Sequence, residues 1–499
     1  MKQLSVINNP INNYLVDSFS ADNLCPQNER QKLEKKYSKV LDITEKFNRQ
    51  SVSYQLNKNT SLHSWLKYKE GFSSTLVNEL LDEMGASAGD LIMDPFMGSG
   101  TTALVCQMRG INSIGYDVMP ISDIALKAKA ACTRYNLEEL EDILKELKAL
   151  SIPHDYQNKT PHITITKDAY PEEAEYFLGY ISEWIVTSSY SELARNLLTL
   201  CVINSLERIS YTSKSGQYLS WDSRSKKVIN ENKKRLEKGK KTLTEKYVRA
   251  EILPAKDTII QELEYVISDI RIIQENSKKY SNAHIEYVQN SVLYEIPKLS
   301  DEILKGVITS PPYCNRYDYT RTYALELAYL GIDDKNIKKM RQSLLSCTVE
   351  SKSKLDELRS FYKKINQLGR FEYIYSKIKE NKAFSEIINA LKIRKDNGDL
   401  NNKGVVRMVE GYFTELAFIY AELYRLCRPG ATVAFVNDNV RYGGEVIPVD
   451  FLSCSFAEQF GFKVKTIYSL KQLKGNSSQQ MAKFGRVALR KGITVWTKE

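Results

Sequence analysis

The sequence predicts an α/β protein: a doubly wound, mostly parallel sheet carrying large helical insertions. Three observations carry this reading. Leu91–Asp94 is a short apolar strand ending in an acid; Pro95-Phe96-Met97-Gly98-Ser99-Gly100 follows, and a helix starts at Thr101-Thr102. A second run, Ile111 to Tyr116, ends in Asp117. Far downstream, Gly306-Val307-Ile308 reads as a buried strand that stops at Thr309-Ser310-Pro311-Pro312-Tyr313. In such a sheet, ligands gather at the carboxyl ends of the strands, where these three turns lie.

Composition sets outer bounds. The 499 residues are 42% hydrophobic and 26% charged, as in a globular chain of two or three domains. A net charge of +10 suits a polyanionic partner, although a basic balance by itself is more often the mark of a solvated surface. The eight cysteines are scattered without a CxxC pair and read as reduced cytosolic thiols. With only four histidines, no metal centre is expected. No stretch has the apolar length of a membrane span, and the amino terminus lacks a secretory pattern, so a cytoplasmic location is expected.

Residues 1–60 are polar, with a helix expected from Asn28 to Phe47, and read as a peripheral extension or dimerisation arm. After His63 to Ser73, Leu76, Val77, Leu80 and Leu81 have helical spacing within Ser74 to Met84. Gly98 and Gly100 allow positive φ and close approach of a ligand to the backbone. The helix beginning at Thr101 and Thr102 offers amides and hydroxyls to an anionic group. No lysine follows the second glycine, which excludes a GxxxxGK[ST] phosphate loop. Asp117, closing the second strand, stands where an acid commonly holds ribose hydroxyls. In the downstream motif, two prolines lock φ and remove two donors. Ser310 and a proline carbonyl can accept hydrogen bonds from an amine while Tyr313 stacks on its ring. A plain Pro-Pro turn with a surface tyrosine is the bland alternative.

Together, Asp94-Pro95-Phe96-Met97-Gly98-Ser99-Gly100-Thr101-Thr102 and Thr309 to Tyr313 resemble motif I and motif IV of the DNA amino-methyltransferases. The segment Tyr68 to Phe72 is similar to motif X of that family. Leu423 to Gly430, Ala431 to Asn437, Phe462 to Leu470 and Ile493 to Lys498 look like its later helix, turn and strands. The resemblance implies a Rossmann-like methyltransferase fold and S-adenosylmethionine as cofactor, held by Tyr68, Phe72, Asp94, Phe96, Gly98, Gly100, Thr101, Thr102 and Asp117. Asn290 stands where the family often has an acid. The resemblance further implies Ser310, Pro311, Pro312 and Tyr313 as catalytic residues, and double-stranded DNA as substrate with the target base flipped out. A bacterial or phage restriction-modification or defence setting, with a cognate endonuclease as possible partner, is implied in the same way. Serine before Pro-Pro-Tyr leans toward cytosine N4; adenine N6 and an inactive DNA-binding subunit are the alternatives. Carbon-5 methylation needs a thiolate, typically in a Pro-Cys pair, and none occurs.

On this reading residues 61–135 hold motif X and the cofactor half, 285–330 the catalytic segment, and 406–499 the C-terminal half. Residues 136–284 and 331–405 are helical insertions, each a candidate for target recognition. From Arg224 to Arg249 there are 11 Lys or Arg against 3 Glu, beside a Gly-containing loop with Tyr218 and Trp221, a pattern that suits phosphate contact and stacking. Arg316, Tyr317, Tyr319 and Arg321 could clasp an extruded nucleotide or be ordinary loop residues. The donor-rich loop Lys474 to Met481 suits phosphate or base-edge contact, or is a plain hairpin loop.

Overall fold

Alternation of side chains along the strands puts the sheet in the middle of the molecule. The computed structural model describes residues 10–215, 218–276, 283–471, 473–475 and 481–499. Its central sheet has strands β1 (Leu41–Thr44), β2 (Leu91–Asp94), β3 (Asn112–Tyr116), β4 (Ile285–Val288), β5 (Leu304–Thr309), β6 (Cys427–Asp438), β7 (Lys463–Leu470) and β8 (Lys491–Thr497). Four helices matter below: α1 (Asn28–Tyr37), α2 (Ser74–Glu83), α3 (Thr101–Met108) and α4 (Lys226–Glu237). Met93, Val307, Val433, Phe435 and Trp496 face one side, where the helices Val405–Leu426 and Val449–Gln459 pack. Their neighbours Ile92, Ile308, Ala434, Val436 and Ile493 face the other, against Leu76, Leu80 and Leu81 of α2 and Val105 of α3. With both faces covered, the strands read as near-continuous apolar runs.

The strand order is β1-β7-β8-β6-β5-β2-β3-β4, and every pairing is parallel except the two made by β8. The chain moves outward from β2 through β3 to β4, then returns to place β5 on the other flank of β2. That reversal opens a crevice at the carboxyl ends of β2 and β5. Asp94 ends the first of these strands, and Ser310 follows the second.

The amino-terminal segment departs from expectation. Helix α1 stops at Tyr37, and Leu41–Thr44 becomes an edge strand of the sheet, in parallel register with Ile467–Leu470. Leu41 and Thr44 are buried and Asp42 is exposed, and it is the pairing with the distant strand that defines this segment as β. Arg30 on α1 is fully buried between Glu386 (3.0 Å) and Glu445 (2.9 Å). The segment is therefore built into the body of the protein.

The first insertion shares one core with Leu62 to Tyr68, Met119 to Tyr135 and the 319–347 segment. Leu178, Leu197, Ile203, Ile259 and Ile270 pack there with Tyr323, Leu325 and Ile337. The rest of the second insertion joins the sheet's core instead, through Leu358, Phe371, Ile387 and Leu391. Among the described residues, no helix is long and apolar enough to cross a membrane. Replacing Arg30 by Met leaves Glu386 without its guanidinium partner and Glu445 with Arg394 alone, and removes the bonds Arg30 makes to the carbonyls of Phe19, Pro26 and Val446. Arg30→Met should cost about 3–5 kcal/mol in urea unfolding, far more than a surface charge.

Candidate active site

Asp94 joins the two halves of the crevice. Its carboxylate, 1% exposed, accepts hydrogen bonds from the Phe96 amide (3.1 Å), the Thr102 hydroxyl (2.8 Å) and the Thr309 hydroxyl (2.6 Å). One side chain thus ties the end of β2 to the first turn of α3 and to the last residue of β5. Burial raises its pKa to about 6, outweighing the three hydrogen bonds that favour the charged form.

The turn after Asp94 is shaped by close contacts. Gly98 (φ +53°) and Gly100 (φ +84°) adopt left-handed conformations. A Cβ at Gly98 would meet the Tyr68 ring at 2.9 Å, and one at Gly100 would meet Leu126 at 2.7 Å. Asp117 accepts hydrogen bonds from the amides of Gly98 (2.9 Å) and Met119 (2.8 Å), so β3 also helps to fix the turn. Burial raises its pKa to about 6.

A cleft enclosing about 700 Å³ lies over this turn. Of the residues expected to hold the cofactor, Tyr68, Phe72, Phe96, Gly98, Thr101, Asp117 and Asn290 line it. Asp94, Gly100 and Thr102 do not: Asp94 and Thr102 are bonded to each other behind the wall, and Gly100 backs onto Leu126. Asn290, exposed at the rim, donates to Glu295 (2.5 Å) and accepts from the Ser291 amide (2.8 Å).

A second pocket adjoins the cleft. Ser310 lines both; Pro312 faces the cleft, while Pro311 and Tyr313 face the second pocket. The Ser310 hydroxyl donates to the Tyr313 oxygen at 3.1 Å. Its one proton is thus taken, and toward an incoming ligand it presents lone pairs. Tyr317 and Tyr319 line the pocket, whereas Arg321 pairs with Asp318 and Glu350 and Arg316 bonds Asn401.

Of the four charged residues that line this pocket, Lys69 and Glu70 fall within the segment Tyr68 to Phe72, whereas Asp438 and Lys491 belong to none of the sequence motifs. Glu70 borders both cavities, and burial holds its carboxyl above the ordinary range despite hydrogen bonds from Tyr317 and Tyr323. The Tyr323 hydroxyl donates to it at 2.8 Å while its ring stacks on Tyr68, centroids 5.0 Å apart. A carboxylate within the aromatic segment Tyr68 to Phe72 is the one signal that points to Glu70. Lys491 and Asp438 face one another across β8 and β6, 3.4 Å apart. Their partnership arises only from strand register, so no local pattern announces it.

The loop expected around Gly216 proves to be a hairpin of Thr212–Ser215 and Tyr218–Trp221, with its tip at 216–217 outside the described residues. Lys214 reaches inward to pair with buried Glu326 and lies 4.3 Å from the centre of the Tyr323 ring. Outward from the hairpin, α4 has only Val228 buried, and residues 238–247 are exposed. Of the loop Lys474 to Met481, residues 476–480 lie outside the described residues.

A family model described as a DNA methylase, for N6 and N4 amino-methyltransferases, matches residues 16–126. The chain is 52% identical over 485 residues to the type II methyltransferase M.BsoBI of Geobacillus stearothermophilus, covering 97% of this chain and 95% of that protein. It is 35% identical over 472 residues to the type II methyltransferase M.AvaI of Nostoc sp., covering 93% and 92% respectively.

The Asp94 shift has a measurable consequence. A carboxyl whose folded pKa exceeds its unfolded value binds more protons when folded, so stability falls as pH rises through that window. Unfolding measured between pH 4 and pH 6 should lose up to about 3 kcal/mol from this residue, and Asp94→Asn should flatten that part of the profile.

Proposed function

The chain belongs to the N6/N4 DNA methylase family, whose cofactor is S-adenosylmethionine, and we propose that it methylates the exocyclic N4 of cytosine in a flipped-out base. The observation that carries the mechanism is Ser310 standing in the wall of two adjoining cavities. The cleft over the glycine turn suits the cofactor: aromatic faces of Tyr68, Phe72 and Phe96 for a flat ring, the Asp117 carboxylate for ribose hydroxyls, and the start of α3 for an anionic end. Tyr68 seals the glycine turn so closely that a side chain at Gly98 would strike it. Asp94 and Thr102 act from behind, holding the turn. When bound, the cofactor supplies the methyl group as an electrophile.

The other pocket takes the target base. An exocyclic amine is a poor nucleophile because its lone pair is delocalised into the ring. Ser310 and the Pro311 carbonyl accept hydrogen bonds from the amine, drawing the nitrogen toward tetrahedral geometry and turning its lone pair toward the cleft. Tyr313 orients the serine by taking its proton and packs beside the base. Glu70 brings negative charge to the junction where the amine becomes cationic. With no carboxylate in place of Ser310, the amine's proton leaves to solvent after transfer. Serine at this position, where family members acting on adenine have Asp or Asn, supports cytosine.

The same reading assigns DNA contact to α4 and the chain up to Arg249. The hairpin that anchors this arm packs on Tyr319–Thr322, beside the base pocket. Relatives named as type II methyltransferases support a restriction-modification role, with a cognate endonuclease cutting the unmethylated site.

Methyl transfer to genomic DNA with labelled cofactor, followed by nucleoside mass spectrometry, should yield N4-methylcytosine; N6-methyladenine would overturn the base assignment. Ser310→Ala should lower kcat by about 10²- to 10³-fold with cofactor affinity unchanged. Reversing charge at Lys233, Lys234 and Arg235 should weaken DNA binding and shrink the salt slope by about 0.9 for each phosphate no longer neutralised. Unchanged affinity and slope would move the DNA interface elsewhere.

A further inference from the structure

We propose that Lys491 reads the 2-oxo oxygen of the flipped cytosine and thereby excludes adenine from the pocket, an inference that rests on the cytosine-N4 reading. Lys491 begins β8, the antiparallel strand, and lines the second pocket with Ser310 and Tyr313. Its ammonium lies 3.4 Å from an Asp438 oxygen and 5.3 Å from the centre of the Tyr313 ring. An ammonium carries three donors and no acceptor, and here it borders the pocket. Burial pulls the ammonium toward neutrality, yet Tyr313 and Asp438 outweigh it and hold Lys491 above its ordinary pKa. The group is a charged donor across the physiological range.

Its place relative to Ser310 gives it a reading position. Ser310 bonds Tyr313, and the Lys491 ammonium lies 5.3 Å from the centre of the Tyr313 ring, so Tyr313 stands between the ammonium and the residue that grips the amine. Cytosine presents its amine, then N3, then the 2-oxo oxygen along one edge. Adenine presents its amine, then N1, then a C–H. A donor next to the amine cannot separate the two bases, because both follow with an acceptor nitrogen. A donor one step further can, because cytosine offers it an oxygen where adenine offers a hydrogen. An adenine there would set a C–H against the half-buried ammonium and give it no acceptor. A donor on the 2-oxo oxygen also draws electron density from the amine, so Lys491 serves binding and selection rather than the transfer step. Asp438 limits that withdrawal by sharing the charge.

The test pairs a variant with an altered base. Duplex substrates carrying cytosine, or a cytosine analogue lacking the 2-oxo oxygen, at the target position are compared with wild-type enzyme and with Lys491→Met. For wild type, loss of the oxygen should reduce kcat/KM by roughly 10- to 100-fold, mainly through KM. In Lys491→Met, which should lose a similar factor on cytosine, removing the oxygen should cost little more. Cofactor affinity equal to wild type shows that the variant is folded, and Lys491→Arg, which keeps a donor, should recover part of the loss. Equal penalties for the analogue in both enzymes, with N4-methylcytosine still the product, would overturn the role of Lys491 and leave the cytosine reading intact. N6-methyladenine as the product would overturn both.

Discussion

The geometry of the site depends on one buried carboxylate. Asp94 gathers an amide, a threonine of α3 and a threonine of β5, and so fixes the separation between the glycine turn and Ser310. The three donors do not fully offset the cost of removing a charge from water, and the raised pKa records the remainder. The fold carries that cost at a place where Thr102 and Thr309 come from segments more than two hundred residues apart. Without such a link, the ends of β2 and β5 beside Ser310 would lose the side-chain bonds that Asp94 adds to their backbone pairing. A rigid cross-link at the strand ends is what in-line transfer between two separately bound molecules requires.

Much of this is legible in the sequence because the relevant signals are local. Acid, Gly-x-Gly and Thr-Thr lie within nine residues, and Ser-Pro-Pro-Tyr within four. Both sets of turns fall at the ends of β2 and β5, as their patterns predict. The finer assignment of Asp94 and Thr102 to the cofactor wall is less accurate, since an acid at a strand end can face a ligand or turn inward. Nothing in a linear pattern separates these cases. The amino-terminal segment defeats sequence reading for another reason. Leu41–Thr44 is too short to show alternation, and its partner β7 is more than four hundred residues away. Lys491 and Asp438 are hidden by register in the same way, being neighbours only across paired strands.

The second pocket has an electrostatic division of labour. Near the junction, Ser310 and Glu70 present acceptors, which suit an amine that gains positive charge. Further in, Lys491 presents a donor beside Asp438. On the proposed reading, a serine in the gripping position does not itself take the amine's proton, so its contribution is positioning rather than proton abstraction. The phenol of Tyr313 connects the two ends, touching Ser310 on one side and Lys491 on the other. Its role is therefore broader than stacking.

The pairing of β1 with β7 bears on how the protein is made. During synthesis, Leu41–Thr44 emerges early and has to wait, with its edge open, until Lys463–Leu470 follows. The strand that carries Lys491 emerges later still and inserts between β7 and β6. A nascent chain that stops short of β8 therefore leaves β7 and β6 unjoined and the second pocket without Lys491.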